Sequence, residues 1–560
     1  MRKTLLLPLL ILMAFGVYGS TLSGGFLGDD YALLAQLHQN SEQAQTEAPQ
    51  WEVVEAAFVR KVPEEQVPKY YRPLWFLSLF VDHRLFGLWS PGFRITNLLL
   101  FAFTAFLLAC FLEALTGQRP LAWAASLLFV VMPTSYASVL WIADRTGQLA
   151  VCLQMLCLWC FLRSVQLRST SFGAAALLCA AGALLSKETA LILFPLLALI
   201  AAGLWRGLES RDRRRLLWWA ASFLVTLLVY FAWRYHILGT WLGGARDPHR
   251  YSLLDMAWNQ FGVALSLLVP IRWPSMGPAF FWPAVVVAVG LLAGGLSLRR
   301  RESRWWPFVL LWFVLSLLPN ALDSSLPGVQ RNLRFTFPSS VPFAILVVLA
   351  LQGWATKLKA SHRWPAFVGV LLACLVLLIH NRRSYVEAGE IGPEIVDRVL
   401  TLARTDSNKP VLVHGLPAWH GNAPLMLNAF PFLLRQPFLA EARRPFLAFA
   451  DGNLGQLALL REAPRFLRGG EWYTLRWDPL RRTLIPAASP RYVQQGGRLV
   501  RAPASHLLFV PEGRREDEGV RIRFSRRPLS SQLDRSVEVR GLSIETPRGR
   551  ELLIAEIRPL

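Results

Sequence analysis

The chain has little charge and little cysteine. Only 17% of its 560 residues are charged while 54% are hydrophobic, and the hydrophobic ones gather in blocks long enough to cross a hydrocarbon core of roughly 30 Å. A soluble enzyme of this length would not concentrate them so. Acidic residues are scarcer than basic ones, 37 against 59, for a net charge of +22. In a soluble domain that excess would point to nucleic acid. Here the basic clusters sit between apolar blocks, where they set orientation in a bilayer, and no nucleic-acid partner is expected. The six cysteines, Cys110, Cys152, Cys157, Cys160, Cys179 and Cys374, all fall inside apolar blocks, which excludes a disulfide framework for the extramembrane parts. Cys157 and Cys160 form a CxxC, but it encloses Leu158 and Trp159 and lacks a second ligand pair, so packing is the expected role. No motif calls for a metal or a cofactor.

What is present is a series of spans. Arg2 and Lys3 precede an apolar run to about Gly19, and a polar segment at about 20–74 follows, with Asp29, Asp30, Glu52, Glu55, Glu64 and Glu65. Within it, Trp51 to Arg60 has the pattern of an amphipathic interfacial helix. Further spans are expected at about 92–114, 120–140, 148–166, 172–186, 189–205, 216–237, 279–298, 305–320, 338–354 and 364–380, eleven in all. The link with Arg211, Arg213, Arg214 and Arg215 is the most basic. Placing it inside puts Asp144-Arg145 and Ser186-Lys187-Glu188 outside. Residues 252–270 are apolar, yet counting them as a span would put Arg299-Arg300-Arg301 outside, so they read as re-entrant or interfacial. The fold class is therefore an α-helical polytopic membrane protein over 1–380, followed at 381–560 by a soluble, mostly β or α+β domain. Strands are expected at Val411 to Val413, Trp472 to Trp477, Leu507 to Val510, Val520 to Phe524, Val537 to Val539 and Leu552 to Ile557, and helices near 391–404 and 454–468. His414, His420 and His506 are scattered and read as ordinary structural or surface histidines.

The chemistry-bearing residues stand at the ends of spans. Gly28-Asp29-Asp30-Tyr31 places two adjacent carboxylates just beyond the first span, suited to a general base and equally open to a reading as solvated loop acids. Tyr70-Tyr71-Arg72-Pro73-Leu74-Trp75 closes the first outer loop, and Pro91-Gly92-Phe93-Arg94-Ile95-Thr96-Asn97 opens the next span. Ser186-Lys187-Glu188 interrupts a long apolar stretch, and a boundary charge of this kind is a functional candidate. Lys187 either meets an anionic group or pairs structurally with Glu188.

In order, Asp-Asp after the first span, Tyr-Arg-Pro-Leu, Gly-Phe-x-x-x-Asn-Leu-Leu-Leu, Trp141-Ile142-Ala143-Asp144-Arg145 and Leu185-Ser186-Lys187-Glu188 resemble the membrane portion of the GT-C glycosyltransferases. Nearest in pattern are bacterial relatives of the protein O-mannosyltransferases and of the tetratricopeptide-repeat O-mannosyltransferases, over roughly residues 20–380. The resemblance implies a multi-pass protein of the inner membrane whose first helix is an uncleaved signal-anchor, and the count of spans with the basic links places the tail on the extracytoplasmic side. It also implies inverting transfer of a sugar from a polyprenyl-phosphate donor to a hydroxyl on a protein, lipid or glycan. Asp29 matches the first acid of the family pair, the base, and Asp30 the second, an orienting group. The cations expected at the departing phosphate, in place of a metal, are Arg72, Arg145, Lys187, Arg331 and Arg334, with Tyr71 and Glu188 beside them. Arg331-Asn332-Leu333-Arg334-Phe335-Thr336-Phe337-Pro338-Ser339 resembles the family's Arg-Tyr-x-Tyr-x-Pro-Ser with one residue fewer and phenylalanine for tyrosine, leaving Arg331 and Arg334 both open. After residue 380 no tetratricopeptide period is visible.

Two other functions use the same ingredients. A transporter or flippase of lipid-linked sugars would show paired halves with broken helices, and no such halves are visible. A catalytically silent scaffold would keep the fold and bind a partner through its tail.

Overall fold

The structure of the chain, a computed structural model, describes residues 5–46, 50–59, 70–205, 207–241, 253–270, 278–298, 305–318, 333–406 and parts of 411–559. The chain divides into two compact units. One comprises Met1–Ser23 with Ala44–Arg383, the other Gly24–Gln43 with Ser384–Leu560. The first outer loop is thus split, and its Asp29-Asp30 segment groups with the tail rather than with the membrane helices.

The first unit is helical. Its elements are α1 (Leu6–Tyr18), the end of α2 (Asp29–Thr46), α3 (Gln50–Val59), α4 (Pro73–Phe86), α5 (Ser90–Thr116), α6 (Arg119–Val130) and α7 (Tyr136–Leu140). Then come α8 (Arg145–Gln166), α9 (Thr170–Ser186), α10 (Leu193–Trp205), α11 (Ser210–Leu238), α12 (Leu253–Leu268), α13 (Pro278–Leu296), α14 (Trp305–Leu317), α15 (Phe337–Ala355) and the first part of α16 (Ala360–Arg404). Six described stretches are long and apolar enough to cross a membrane, and five shorter apolar helices join them, one for each of the eleven expected spans. Prolines in the first turns of α4 and α5 occupy positions where an N–H is dispensable. Gly117 and Gly239, both at φ +71°, close α5 and α11 in the left-handed conformation that ends helices. The apolar window of Leu333–Ala355 is 83% buried and that of Ser210–Leu238 only 17%, so the former lies at the centre of the bundle and the latter turns most of its apolar surface outward.

Two expectations are corrected. The span at about 120–140 is not one helix: α6 ends at Val130, turns surround Pro133, α7 is a single short helix, and a 3-10 turn at Ile142–Asp144 leads into α8. Pro133 has no N–H to give a helix and disfavours helix in the residue before it. Every residue from 131 to 144 except Ala143 is buried, so the freed carbonyls need donors. Side chains supply them: Asn381 Nδ2 donates to Pro133 O (3.1 Å), Gln148 Nε2 to Ser138 O (2.5 Å) and Asn97 Nδ2 to Val139 O (3.2 Å). Second, the expected span at 364–380 and helix at 391–404 are one 45-residue helix, α16. Polarity rises after His380, but no proline follows before Pro393, so the change marks the end of the apolar stretch and not of the helix. Residues 253–268 form α12, which packs on α13 and on the 3-10 turn Leu333–Thr336. Its 16 residues reach about 24 Å, short of a core of roughly 30 Å.

In the second unit, β1 (Val411–Pro417) lies between β4 (Phe446–Asp451) and β5 (Glu471–Asp478), parallel to both, and β6 (Thr483–Pro486) adds antiparallel to β5. A two-residue hairpin, β2 (Trp419–His420) with β3 (Ala423–Pro424), follows β1 directly. Further on, Val520–Ile522, Val537–Arg540 and Glu556–Pro559 form an antiparallel sheet, and Ser543–Thr546 pairs with Gly549–Leu552. The expected helix at 454–468 lies outside the described residues.

Candidate active site

The interruption at 131–144 places polar side chains amid apolar helices. Ser138 Oγ donates to Asp144 Oδ2 at 2.6 Å, anchoring a carboxylate that is only 3% exposed. The next residue, Arg145, is wholly buried at the start of α8. Its guanidinium meets Asp82 Oδ2 (2.5 Å), Asn97 Oδ1 (2.6 Å), Phe93 O (2.8 Å) and Ser78 O (3.3 Å). Arg145 therefore ties α4, α5 and α8 together, and its planar fork is committed to protein acceptors rather than held out to a ligand.

α9 ends at Ser186, Lys187 is extended (φ −162°, ψ 138°), and a 3-10 turn begins at Glu188. An extended residue sends neighbouring side chains to opposite sides. Lys187 and Glu188 accordingly do not pair with each other. Lys187 Nζ lies 3.5 Å from Asp144 Oδ1, while Glu188 receives a two-pronged ion pair from Arg72, Nη2 to Oε1 at 2.5 Å and Nε to Oε2 at 3.0 Å. Arg72 also lies 4.1 Å over the Tyr70 ring. Burial pulls the Lys187 ammonium below the ordinary lysine range, opposed by Asp144 and reinforced by the positive charges of Arg72 and Arg334. Tyr71 donates its hydroxyl to Phe58 O at 3.1 Å, and burial pushes its phenol up to about 12.

Arg334, in the turn Leu333–Thr336, stacks its guanidinium 4.3 Å from the centroid of the Trp141 ring and 5.2 Å from that of Phe335. Its carbonyl accepts the Ser138 hydroxyl at 3.3 Å. Among the described residues no carboxylate pairs with Arg334. Arg331 lies outside the described residues.

Among the described residues, Arg72, Lys187 and Arg334 gather in one cluster with two carboxylates, Asp144 and Glu188. Two residues of α11 that sequence reasoning passed over extend it: Tyr230 lies within electrostatic reach of Arg72, Glu188 and Arg234, and Arg234 is only 3% exposed. Arg234 Nε donates to Trp241 O at 3.2 Å. The available signal was an arginine inside an otherwise apolar stretch, Tyr230-Phe231-Ala232-Trp233-Arg234. Tyr71 and Tyr230 belong to an apolar cluster that Phe194 and Leu227 also pack against. Those two side chains, with Phe161, Leu197 and Phe223, line an apolar cavity of about 250 Å³ among α8, α10 and α11.

In the second unit, Asp29 and Asp30 form the first turn of α2, where the helix macrodipole favours carboxylates. Asp30 is buried, and its Oδ2 reaches back to accept the Leu27 N–H at 3.0 Å, just before the helix. Asp29 is half-buried. Of the three tail histidines, His420 is the one whose side chain is described, and it meets Glu387 Oε2 at 2.7 Å. Among the described residues no group of three His, Cys, Asp or Glu side chains is arranged to hold a metal ion.

No family model and no curated protein matches the chain. Among solved structures it is similar to ArnT from Cupriavidus metallidurans bound to undecaprenyl phosphate, at 15% identity and a TM-score of 0.44, covering 88% of this chain and 97% of that one. It is also similar to the Archaeoglobus fulgidus oligosaccharyltransferase in its apo form, at 12% identity and a TM-score of 0.46, covering 77% of this chain and 65% of that one. A third similar structure is AglB from Archaeoglobus fulgidus with an inhibitory peptide and a dolichol-phosphate, at 10% identity and a TM-score of 0.38, covering 76% and 64%.

Proposed function

We propose that the chain is a membrane glycosyltransferase that moves a sugar from a polyprenyl-phosphate donor to a hydroxyl acceptor on the extracytoplasmic face. The observation that carries this reading is the gathering of Arg72, Lys187 and Arg334 at one set of helix ends, where among the described residues no carboxylate pairs with Arg334. An anionic ligand with several oxygens would meet such cations through charge-assisted hydrogen bonds. The apolar cavity bordering the same aromatic cluster suits the prenyl end of an amphiphile. The order of the five motifs along the chain supports a sugar on that phosphate rather than a bare lipid.

In this reading Arg334 and Lys187 neutralise the phosphate as it departs, Arg72 is oriented by Glu188, and Asp144 orients Lys187. Arg145 holds the backbone that carries Asp144. Asp29 removes the acceptor's proton as its oxygen attacks the anomeric carbon, the bond to phosphate breaks with inversion, and the lipid phosphate leaves as the anion. The protein belongs in the inner membrane, with its tail outside. The test is to incubate purified protein with a panel of polyprenyl-phosphate sugars and follow lipid phosphate release. Acceptor-dependent release supports transfer. Movement of intact donor across a vesicle bilayer without release would instead mark a flippase. A reporter at Leu560 active only in the cytoplasm would remove the geometric basis of transfer outside.

A further inference from the structure

Within the second unit, the turn bearing Asp29 is held from two sides by the tail. On one side, Gly25 N–H donates to Gly389 O of α16 at 2.8 Å, and a Cβ at Gly25 would stand 2.4 Å from Pro393 Cγ. On the other, Gly28 N–H donates to Leu425 O at 3.0 Å, just past the β2–β3 hairpin. Gly28 has φ +48°, and a Cβ there would lie 3.0 Å from both Leu427 O and Pro424 Cβ, so both conformation and space favour glycine. Tyr31 packs edge-on against Phe438 with ring centroids 5.4 Å apart.

That hairpin is itself fixed at two points. Leu425 N–H donates to Ala418 O (2.9 Å) and Met426 N–H to Pro417 O (3.2 Å), joining it to the end of β1, the strand between β4 and β5. His420, on β2, meets Glu387 Oε2 at 2.7 Å and so ties the hairpin to α16, two residues from the Gly389 carbonyl that holds Gly25. A sheet, a hairpin and a helix thus converge on eight residues, 24–31, that contain the two acids.

We propose that the tail unit is the seat of this turn, with Gly28 and His420 as positioning residues that set where the Asp29 carboxylate points. The proposal rests on the reading of Asp29 as the base. It gives the tail a role in turnover that needs no acceptor-binding motif of its own. A fixed carboxylate matters because proton transfer is sensitive to displacements on the order of 1 Å.

The test uses the full chain in detergent, with His420→Ala, His420→Gln, Gly28→Ala and, as a control, Gly16→Ala, whose Cβ would meet nothing within 4 Å. Two quantities are read: amide exchange of 24–31 by mass spectrometry, and lipid phosphate release from a polyprenyl-phosphate sugar that supports turnover. His420→Ala and Gly28→Ala should speed exchange of 24–31 and lower kcat roughly tenfold, with the donor KM unchanged. His420→Gln, which still offers an N–H to Glu387, should stay near the parent. Should Gly28→Ala fail to fold, the His420 pair decides alone. Unaltered exchange in His420→Ala, or a raised KM with unaltered kcat, would overturn the seat. Full turnover in Asp29→Asn would instead overturn the base, and the exchange result would still report on the seat.

Discussion

Arg334 is where the donor-phosphate reading is most exposed to test. Its guanidinium lies over the Trp141 ring, 4.3 Å from the centroid, and among the described residues no carboxylate neutralises it. Arg334→Gln removes the charge and the fork together. A hydrogen bond to a charged group is worth about 1.5–3 kcal/mol, so loss near the middle of that range weakens lipid phosphate binding roughly forty-fold. Arg334→Lys keeps the charge without the planar fork or the guanidinium stacking, and should cost about tenfold or less. The assay is binding of polyprenyl phosphate to detergent-purified protein, read as a rise in melting temperature with lipid concentration, because a ligand of the folded state stabilises it by mass action. Melting without lipid should be nearly the same in all three proteins. Parental affinity in Arg334→Gln, in protein that melts normally, would refute the reasoning that a cation without a carboxylate partner among the described residues marks the phosphate site.

The remaining expectations follow from the same contacts. Lys187 binds phosphate only when protonated and its pKa is pulled below the ordinary lysine value, so donor affinity should be full at pH below that lowered pKa and fall as pH rises through it. Lys187→Arg should flatten this alkaline fall, and an unchanged profile would remove Lys187 from the site. Arg145→Met leaves Asp82 buried without its cation, which costs about 3–5 kcal/mol, so it should lower the melting temperature sharply. Normal melting with lost donor affinity would return Arg145 to the ligand. Asp29→Asn should lower turnover about a hundred- to ten-thousand-fold without changing donor affinity. Asp30→Asn should be milder, since the amide oxygen can still accept the Leu27 N–H, and full activity in both variants would sink the mechanism.

The helices were legible because a bilayer imposes one rule, an apolar run of sufficient length, and runs such as Ser90–Thr116 obey it without help from distant residues. The break after Val130 was not, although Pro133 was in plain view. A proline at the middle of an apolar stretch can be absorbed as a kink, and here the outcome rests on Asn97, Gln148 and Asn381, side chains from other helices that serve the freed carbonyls. The long α16 was missed for the opposite reason: polarity changed at Asn381 while nothing in the backbone did.

The candidate site divides along the same line. Lys187 and Glu188 stood out as charges in an apolar stretch, but their adjacency invited a mutual pair, and the pairs formed cross the fold, Lys187 to a residue 43 positions away and Glu188 to one 116 away. Local sequence reports that a charge is buried and not by whom it is balanced. Arg234 carried the same signal as Lys187 but sat near the end of a span, where an arginine is ordinarily read as an anchor reaching toward the headgroups. Its near-complete burial removes that reading. What separates a ligand-binding cation from a structural one is the count of protein acceptors around it. Among the described residues Arg145 meets four acceptors while Arg334 lies against two aromatic rings, and that difference, invisible in the motifs that contain them, is what favours the scaffold for one and the proposed phosphate site for the other.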